Sequence, residues 1–246
     1  MKFARSRRTR RLSLHFAVTA SLACVLVAMP LRAKVASASG SAFAISEDSS
    51  GTILITSLHV IKSYPVIQAV RAADGEELSA ELVAKDEDSD LALIRVPGRS
   101  SVLCLRGDSA ERVGEKIYVV GYPLPKLLGM TPKFASGWLS GLAPGKLTDK
   151  FLQLAVTLYP GHSGSPVLDH TGRVVGVVAA VVDLGGRQPL ASNVSAAVRL
   201  KKLSDFISKE GISTSSCRHP SWTDPSPEDV YSATRSSLYL ITASPK

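Results

Sequence analysis

Metal-ligand spacing is missing from this sequence. Its 246 residues hold three cysteines and five histidines, with no Cys-x-x-Cys pair and no His/Cys cluster. A zinc-type site therefore has no ligand set, and neither metal nor cofactor is expected. A basic body is missing too. The formal charge is +8, but eight of the 29 Lys and Arg residues fall in residues 1–38, where there is no acid. That leaves 21 basic residues against 21 acidic ones. A near-neutral body offers phosphate no cationic stripe, which excludes nucleic acid as a partner. The strand–helix alternation of a βαβ fold is also absent.

The N-terminal charge has another use. A basic run from Lys2 to Arg11 precedes the apolar stretch Leu12–Leu31, and Val35-Ala36-Ser37-Ala38 supplies small residues for cleavage after Ala38. This is the pattern of a secretory signal over residues 1–38. The alternative is an uncleaved membrane anchor through residues 12–31, a stretch about long enough to span a bilayer although His15 lies inside it. The pairs Arg7-Arg8 and Arg10-Arg11 do not complete a twin-arginine pattern. Either way the body is expected outside the cytoplasm, periplasmic or secreted, or held at the inner membrane. Cys24 lies within this segment, where Ser21-Leu22-Ala23 makes a poor lipobox. Export permits a disulfide between Cys104 and Cys217, and two free thiols fit equally.

From Gly40 the chain reads as short strands and turns. Strands are predicted at residues 41–45, 52–57, 66–71, 78–84 and 91–96, with a hairpin turn at Ala73-Asp74-Gly75. After a polar connector at residues 100–114, further strands are predicted at 116–120, 133–142, 151–157, 167–169, 173–182 and 188–195, with a loop at 126–132. From Ala196 the pattern turns helical: Ala197, Leu200, Leu203, Phe206 and Ile207 share a face until Gly211 stops it.

The chemistry concentrates at Tyr159-Pro160-Gly161-His162-Ser163-Gly164-Ser165-Pro166. A serine hydroxyl attacks only when a base takes its proton, and the resulting oxyanion needs N–H donors. This turn offers a nucleophile, Ser163, and donors in the N–H groups of Gly161 and Ser163. Upstream, Thr56-Ser57-Leu58-His59-Val60 ends an apolar run in a histidine, and Asp90 directly precedes Leu91-Ala92-Leu93. The order His59, Asp90, Ser163 is one of the orders in which serine triads occur. Together with Gly40-Ser41-Ala42-Phe43, these stretches resemble the trypsin-like serine peptidases, in particular their bacterial HtrA/Deg branch, over about residues 40–210.

The resemblance implies an all-β fold of two antiparallel six-stranded β-barrels with a C-terminal helix. His59 and Asp90 would come from the first barrel (about 40–100) and Ser163 from the second. The domain would run over 39–211, with a Ser/Pro-rich linker and tail at 212–246 and no PDZ-like region after it. The implied function is a serine endopeptidase acting on exported, unfolded protein or peptide substrates, with Asp86 and Asp88 as solvated loop charges. A substrate pocket is implied near Thr157, Leu158, Val178, Ala179 and Ala180. No acid stands at Thr157, so small or medium apolar residues are expected at the cleaved position. Relatives often form trimers through an N-terminal segment; that segment is short here, and the oligomeric state stays open.

Two positions depart from the family pattern. His162 stands where Asn or Asp is usual, and is expected to be an exposed turn residue. Ser165 stands where Gly is usual, and its Cβ is expected to strain or reshape the turn. These departures motivate a rival reading, a non-catalytic homologue that binds peptides. An esterase elbow completed by Asp183 and His219 is a further formal alternative, disfavoured because Pro166-Val167-Leu168 reads as strand. In the tail, residues 213–225 read as a flexible connector, Ser226-Pro227-Glu228-Asp229 as a helix start with the helix over 230–235, and residues 237–243 as a strand. In the family a helix and strand of this kind precede the Gly-Ser-x-Phe segment. Residues 238–242 therefore supply the missing first strand by circular permutation, begin a lost second domain, or fray.

Overall fold

The computed structural model describes residues 37–107, 111–142, 149–179, 195–214, 217, 219, 220, 222 and 224–246. Residues 1–36 of the expected signal or anchor segment lie outside them.

The first half of the chain forms β1 (Ala38–Asp48), β2 (Gly51–Ser57), the single turn α1 (Leu58–Ile61), β3 (Val66–Arg71), β4 (Glu77–Asp86) and β5 (Leu91–Val96). The second half forms β6 (Lys116–Gly121), α2 (Pro125–Leu128), β7 (Lys133–Leu142), β8 (Phe151–Ala155), β9 (Pro166–Leu168), β10 (Val174–Val178), β11 (Ser195–Arg199) and α3 (Leu200–Lys209). Last come α4 (Pro227–Arg235) and β12 (Leu238–Ser244). Two closed antiparallel barrels result, in the orders β1-β12-β3-β4-β5-β2 and β10-β11-β8-β7-β6-β9. This is the two-barrel, all-β architecture that the motifs imply.

The run Gly-Thr-Ile-Leu-Ile-Thr-Ser of β2 is buried at every position. Its side chains alternate between two apolar regions, because successive residues of a strand face opposite ways. Leu54 packs with Ala42, Ala44, Ile94, Tyr239 and Ile241 inside the first barrel. Ile53 and Ile55 pack with Tyr118, Val120, Leu168 and Val174 between the barrels. A third cluster, including Ile117, Val119, Leu139, Leu152 and Leu154, fills the second barrel.

The closing strand of the first barrel is β12. It pairs with β1 on one side (Ser41 opposite Leu240, Ala38 opposite Ala243) and with β3 on the other (Leu240 opposite Val70). Of the three readings for residues 238–242, the structure takes the first: the strand that the family places before Gly-Ser-x-Phe arrives here from the C-terminal side. Its helix α4 starts in a capping box. Asp229 N–H donates to Ser226 Oγ, Asp229 accepts from Ser226 N–H, and Pro227 occupies the first turn.

Three expectations are corrected. The second barrel is closed by residues 195–199, beyond the predicted 188–195, of which residues 188–194 lie outside the described set. Residues 196–199 accordingly extend rather than coil. Apolar spacing alone reads Ala197 into the helix, but pairing with Leu152 on β8 and Val178 on β10 buries it in the sheet, and tertiary pairing overrides local pattern. The predicted loop at 126–132 contains α2. The described residues of 213–225 are tied down: Cys217 is disulfide-bonded to Cys104 across 113 residues, Ser46 Oγ donates to Ser213 O, and His219 Nε2 bonds Thr171 O at 2.8 Å.

Candidate active site

At the end of β2 the chain makes one helical turn, and His59 sits in it. Its partner comes from the strand paired with β2, since Ser57 lies opposite Leu91. Asp90 precedes that strand in the left-handed region, at φ 54°, a conformation that Asp tolerates better than most side chains. There it holds His59 twice and the preceding Leu58 once. Asp90 O accepts from Leu58 N–H at 2.9 Å, Oδ1 accepts from His59 N–H at 2.8 Å, and Oδ2 meets His59 Nδ1 at 2.6 Å. A carboxylate only accepts, so Nδ1 carries a proton, and in the neutral ring Nε2 has the free lone pair. The neighbouring acids do other work. Asp88 pairs with Lys150, which holds its carboxyl below the usual range, and Asp86 Oδ1 accepts from Asp88 N–H at 3.0 Å.

Ser163 lies on the turn between β8 and β9, and that turn docks onto β1 and the end of β2. Ser41 N–H donates to Ser163 O at 2.8 Å. Val178 O accepts from both Gly164 N–H (2.9 Å) and Ser57 Oγ (3.0 Å). Gly164 has φ +85°, and a Cβ there would come within 2.1 Å of Ser41 O and 2.6 Å of Thr56 Oγ1. Only glycine fits so close a seam. The seam sets Ser163 against the segment that carries His59 two residues beyond Ser57. Ser163 Oγ makes no hydrogen bond among the described residues.

The directions of the turn's amides follow from its carbonyls. In a trans peptide the C=O and N–H point opposite ways, and there is no cis bond among the described residues. Pro160 O is held by Leu124 N–H at 2.8 Å, and His162 O by Ser165 N–H at 2.8 Å. The amides of those two peptides, Gly161 N–H and Ser163 N–H, therefore face away from these anchors, and neither has a partner among the described residues. Two adjacent unpaired donors suit a developing negative oxygen.

Both departures from the family pattern are accommodated. His162 is not exposed: it is 3% accessible. The turn closes on itself, with His162 N–H donating to Tyr159 O at 3.0 Å and Tyr159 N–H donating to His162 Nδ1 at 3.0 Å, while the two rings stack. Nδ1 accepts that bond when it is unprotonated and, 3.2 Å from Tyr159 O, donates to the carbonyl when it carries the proton, while Nε2 is buried without a partner among the described residues. Ser165 does not strain the turn. It is fully buried without a positive φ and faces Gly121, where a Cβ would lie 1.9 Å from Ser165 Oγ, while that Oγ has no partner among the described residues. The missing side chain at 121 makes room for the one added at 165.

Burial pushes the His162 imidazole below its ordinary pKa of 6.5, opposed by the bond that a protonated Nδ1 donates to Tyr159 O. Between the folded value and 6.5 the unfolded chain binds a proton that the folded chain refuses. Stability is full above 6.5 and falls as pH drops toward the folded value. His162→Asn is expected to flatten this loss. Thermal melts from about pH 7.5 to about pH 5 check it: an unchanged slope assigns the acid sensitivity elsewhere.

Beside Ser163 lies a cleft of about 200 Å³ lined by Leu158, Tyr159, Pro160, His162, Ser163, Val178 and Ala179. Thr157, expected near the pocket, is exposed and outside this lining; Ala180 lies outside the described residues. Across the turn, Leu124 N–H ties the α2 loop to Pro160, and Leu127, Leu128 and Met130 in that loop are exposed. The sequence reading missed Ser41 and Leu124 as supports of the turn. The Gly40-Ser41 pair was visible as a family motif, but nothing local shows that it touches Gly161 some 120 residues on.

Comparisons with known proteins agree with this geometry. The trypsin-like peptidase domain profile matches residues 40–177. An uncharacterized protein, y4bJ, of Sinorhizobium fredii is 35% identical over 183 residues, 72% of this chain and 28% of that protein. A "probable periplasmic serine endoprotease DegP-like" of Halomonas elongata is 32% identical over 151 residues, 60% of this chain and 30% of the relative. Its namesake in Bartonella henselae is 33% identical over 173 residues, 69% of this chain and 33% of the relative. The chain thus spans about a third of the length of these curated relatives. The profile covers more than half of the chain, and with both barrels closed around the matched strands the chain belongs to the trypsin-like peptidase family, homologous to DegP-like serine endoproteases.

Proposed function

We propose that the chain is an exported serine endopeptidase in which Ser163, His59 and Asp90 form the catalytic triad. The observation that carries this is the Asp90-oriented His59 on one side of the barrel seam, and on the other a serine turn with two unpaired amides. In this reading Ser163 Oγ attacks the substrate carbonyl and its proton passes to His59 Nε2. Asp90 stabilises the imidazolium, and the oxyanion settles on Gly161 N–H and Ser163 N–H. His59 then gives the proton to the leaving amine. Water, deprotonated in turn by His59, hydrolyses the acyl-enzyme.

The names of the relatives support an exported, periplasmic setting, as do the leader-like sequence and the disulfide. Unfolded polypeptide is the proposed substrate class. The cleft beside Ser163 has apolar walls at Leu158, Val178 and Ala179, and Leu127, Leu128 and Met130 offer further apolar surface next to the turn. The seam at Gly121 and Ser165 supports a working turn over a non-catalytic homologue. The two-barrel fold, with strand β9 after the serine, removes the esterase alternative. Asp183 lies outside the described residues, and His219 is bonded to Thr171 O.

A fluorophosphonate probe is expected to label the purified chain and not Ser163→Ala. Absence of labelling in a folded parent refutes the peptidase reading. Among peptides, Ala or Val at the cleaved position is expected to outpace Arg by about 100-fold, since no lining residue carries a carboxylate to pair with a guanidinium. A preference for Arg overturns the pocket assignment.

A further inference from the structure

We propose that Ser41 is a positioning residue of the oxyanion site, an assignment that rests on the peptidase reading. Four consecutive carbonyls of the nucleophile turn are anchored. Pro160 O is held by Leu124 N–H, His162 O by Ser165 N–H and Ser163 O by Ser41 N–H, all main-chain bonds of 2.8 Å. The fourth, Gly161 O, is held by a side chain: Ser41 Oγ–H donates to it at 2.8 Å. The direction of that donation is fixed, because Ser41 Oγ also accepts from Tyr122 N–H at 3.0 Å. A hydroxyl has one proton, and Tyr122 supplies its own.

The peptide that Ser41 holds, Gly161–His162, joins the two oxyanion donors. Its orientation sets ψ of Gly161 and φ of His162, and so the angle between Gly161 N–H and Ser163 N–H. Gly161 is the residue least able to hold that angle alone. It sits at φ +102°, where a Cβ would lie 2.2 Å from Tyr122 O, so no side chain could stiffen the position. Ser41 is fully buried, and its main chain is fixed in β1 by Leu240 of β12 on one side. On the other side its carbonyl accepts from Thr56 Oγ1 at 2.8 Å. The second barrel's oxyanion turn is thereby held by a residue of the first.

Ser41→Ala leaves Gly161 O and Tyr122 N–H buried without partners and frees the peptide to turn. Removing one oxyanion donor typically costs 10²–10³ in rate, and loosening its direction is expected to lower kcat by roughly 10–100-fold. KM stays within about twofold, because the Ser41 side chain is not part of the cleft lining and its main-chain bond to Ser163 O is unaffected by the substitution. The acid limb of the pH–rate profile stays where it is, since Ser41 makes no contact in the His59–Asp90 pair. Affinity for a peptide trifluoromethyl ketone, whose adduct carries an oxyanion, falls in step with kcat/KM. Affinity for the matching peptide amide does not.

The experiment measures these quantities for the purified chain and Ser41→Ala, with Ser41→Cys beside them. Cysteine fills nearly the same space but donates weakly, so it reports the same loss if the alanine variant fails to fold. Wild-type kcat in a folded variant overturns the proposal, as does a loss carried by KM. An active parent with an equally active Ser41→Ala overturns the positioning role alone. A parent that neither labels nor cleaves overturns the peptidase reading and this role with it.

Discussion

Removal of residues 226–246 abolishes cooperative folding of the first barrel and, with it, probe labelling. In β12, Leu238, Tyr239 and Ile241 are fully buried and Leu240 is 2% accessible. Burying side chains of this size is worth about 1.5–3 kcal/mol each. Four of them supply roughly 6–12 kcal/mol, on the scale of the whole net stability of a domain, about 5–15 kcal/mol. The loss also opens two edges at once, since β12 is hydrogen-bonded along six residue pairs to β1 and six to β3. The truncated chain is expected to give no cooperative thermal transition by circular dichroism. A rearranged chain supplies the control. Ala38 lies opposite Ala243, so the end of β12 meets the start of β1, and nearby ends tolerate reconnection. Residues 226–246 joined through a short turn to residue 37 are expected to restore both the melt and the labelling. A truncated chain with an unchanged melting temperature refutes the role given to β12.

Asp90→Asn is expected to lower kcat by about 10³–10⁴-fold while the fold stays intact, by the tautomer argument that applies to serine triads generally. Asp90 accepts twice, from His59 N–H at Oδ1 and from Nδ1–H at Oδ2. An asparagine has one acceptor and one donor in those two places. If its oxygen keeps the main-chain bond, its NH₂ faces Nδ1 and drives the ring proton to Nε2, where it blocks uptake of the Ser163 proton. If the amide turns over, its NH₂ opposes His59 N–H. The backbone does not object, since asparagine also adopts the left-handed conformation at φ 54°. Steady-state rates beside circular dichroism separate chemistry from folding. An Asp90→Asn variant within tenfold of the parent refutes the triad assignment.

The parts of this molecule that were legible in the sequence are those written in local pattern. The strands at 66–71, 91–96 and 133–142 match their predicted bounds, since alternation and turn residues suffice to mark them. His59, Asp90 and Ser163 could be proposed from the sequence because each lies beside a short motif. Contacts between distant segments were not legible. The burial of His162 depends on how one turn folds back under Tyr159, and the ease of Ser165 depends on Gly121, some 40 residues earlier. The strand character of 196–199 depends on neighbours on both sides, while its own spacing continues that of α3. Residues 238–242 sit between these cases. Their strand pattern was plain, but their place in the barrel was open until pairing with β1 and β3 settled it.

The pairing of β1 with β12 also has a consequence in time. A ribosome delivers the chain from its N-terminus, so β1 emerges early and its partner follows about 200 residues later. Until then β1 and β3 keep unpaired edges, and the first barrel stands open between them. The strand that carries Ser41 is one of the two left waiting. The anchors on Pro160 O and His162 O can exist on a nascent chain, but the two that Ser41 supplies to Gly161 O and Ser163 O wait for a rigid β1. The first barrel can therefore close, and Ser41 be held between its two neighbouring strands, only when synthesis has passed residue 244.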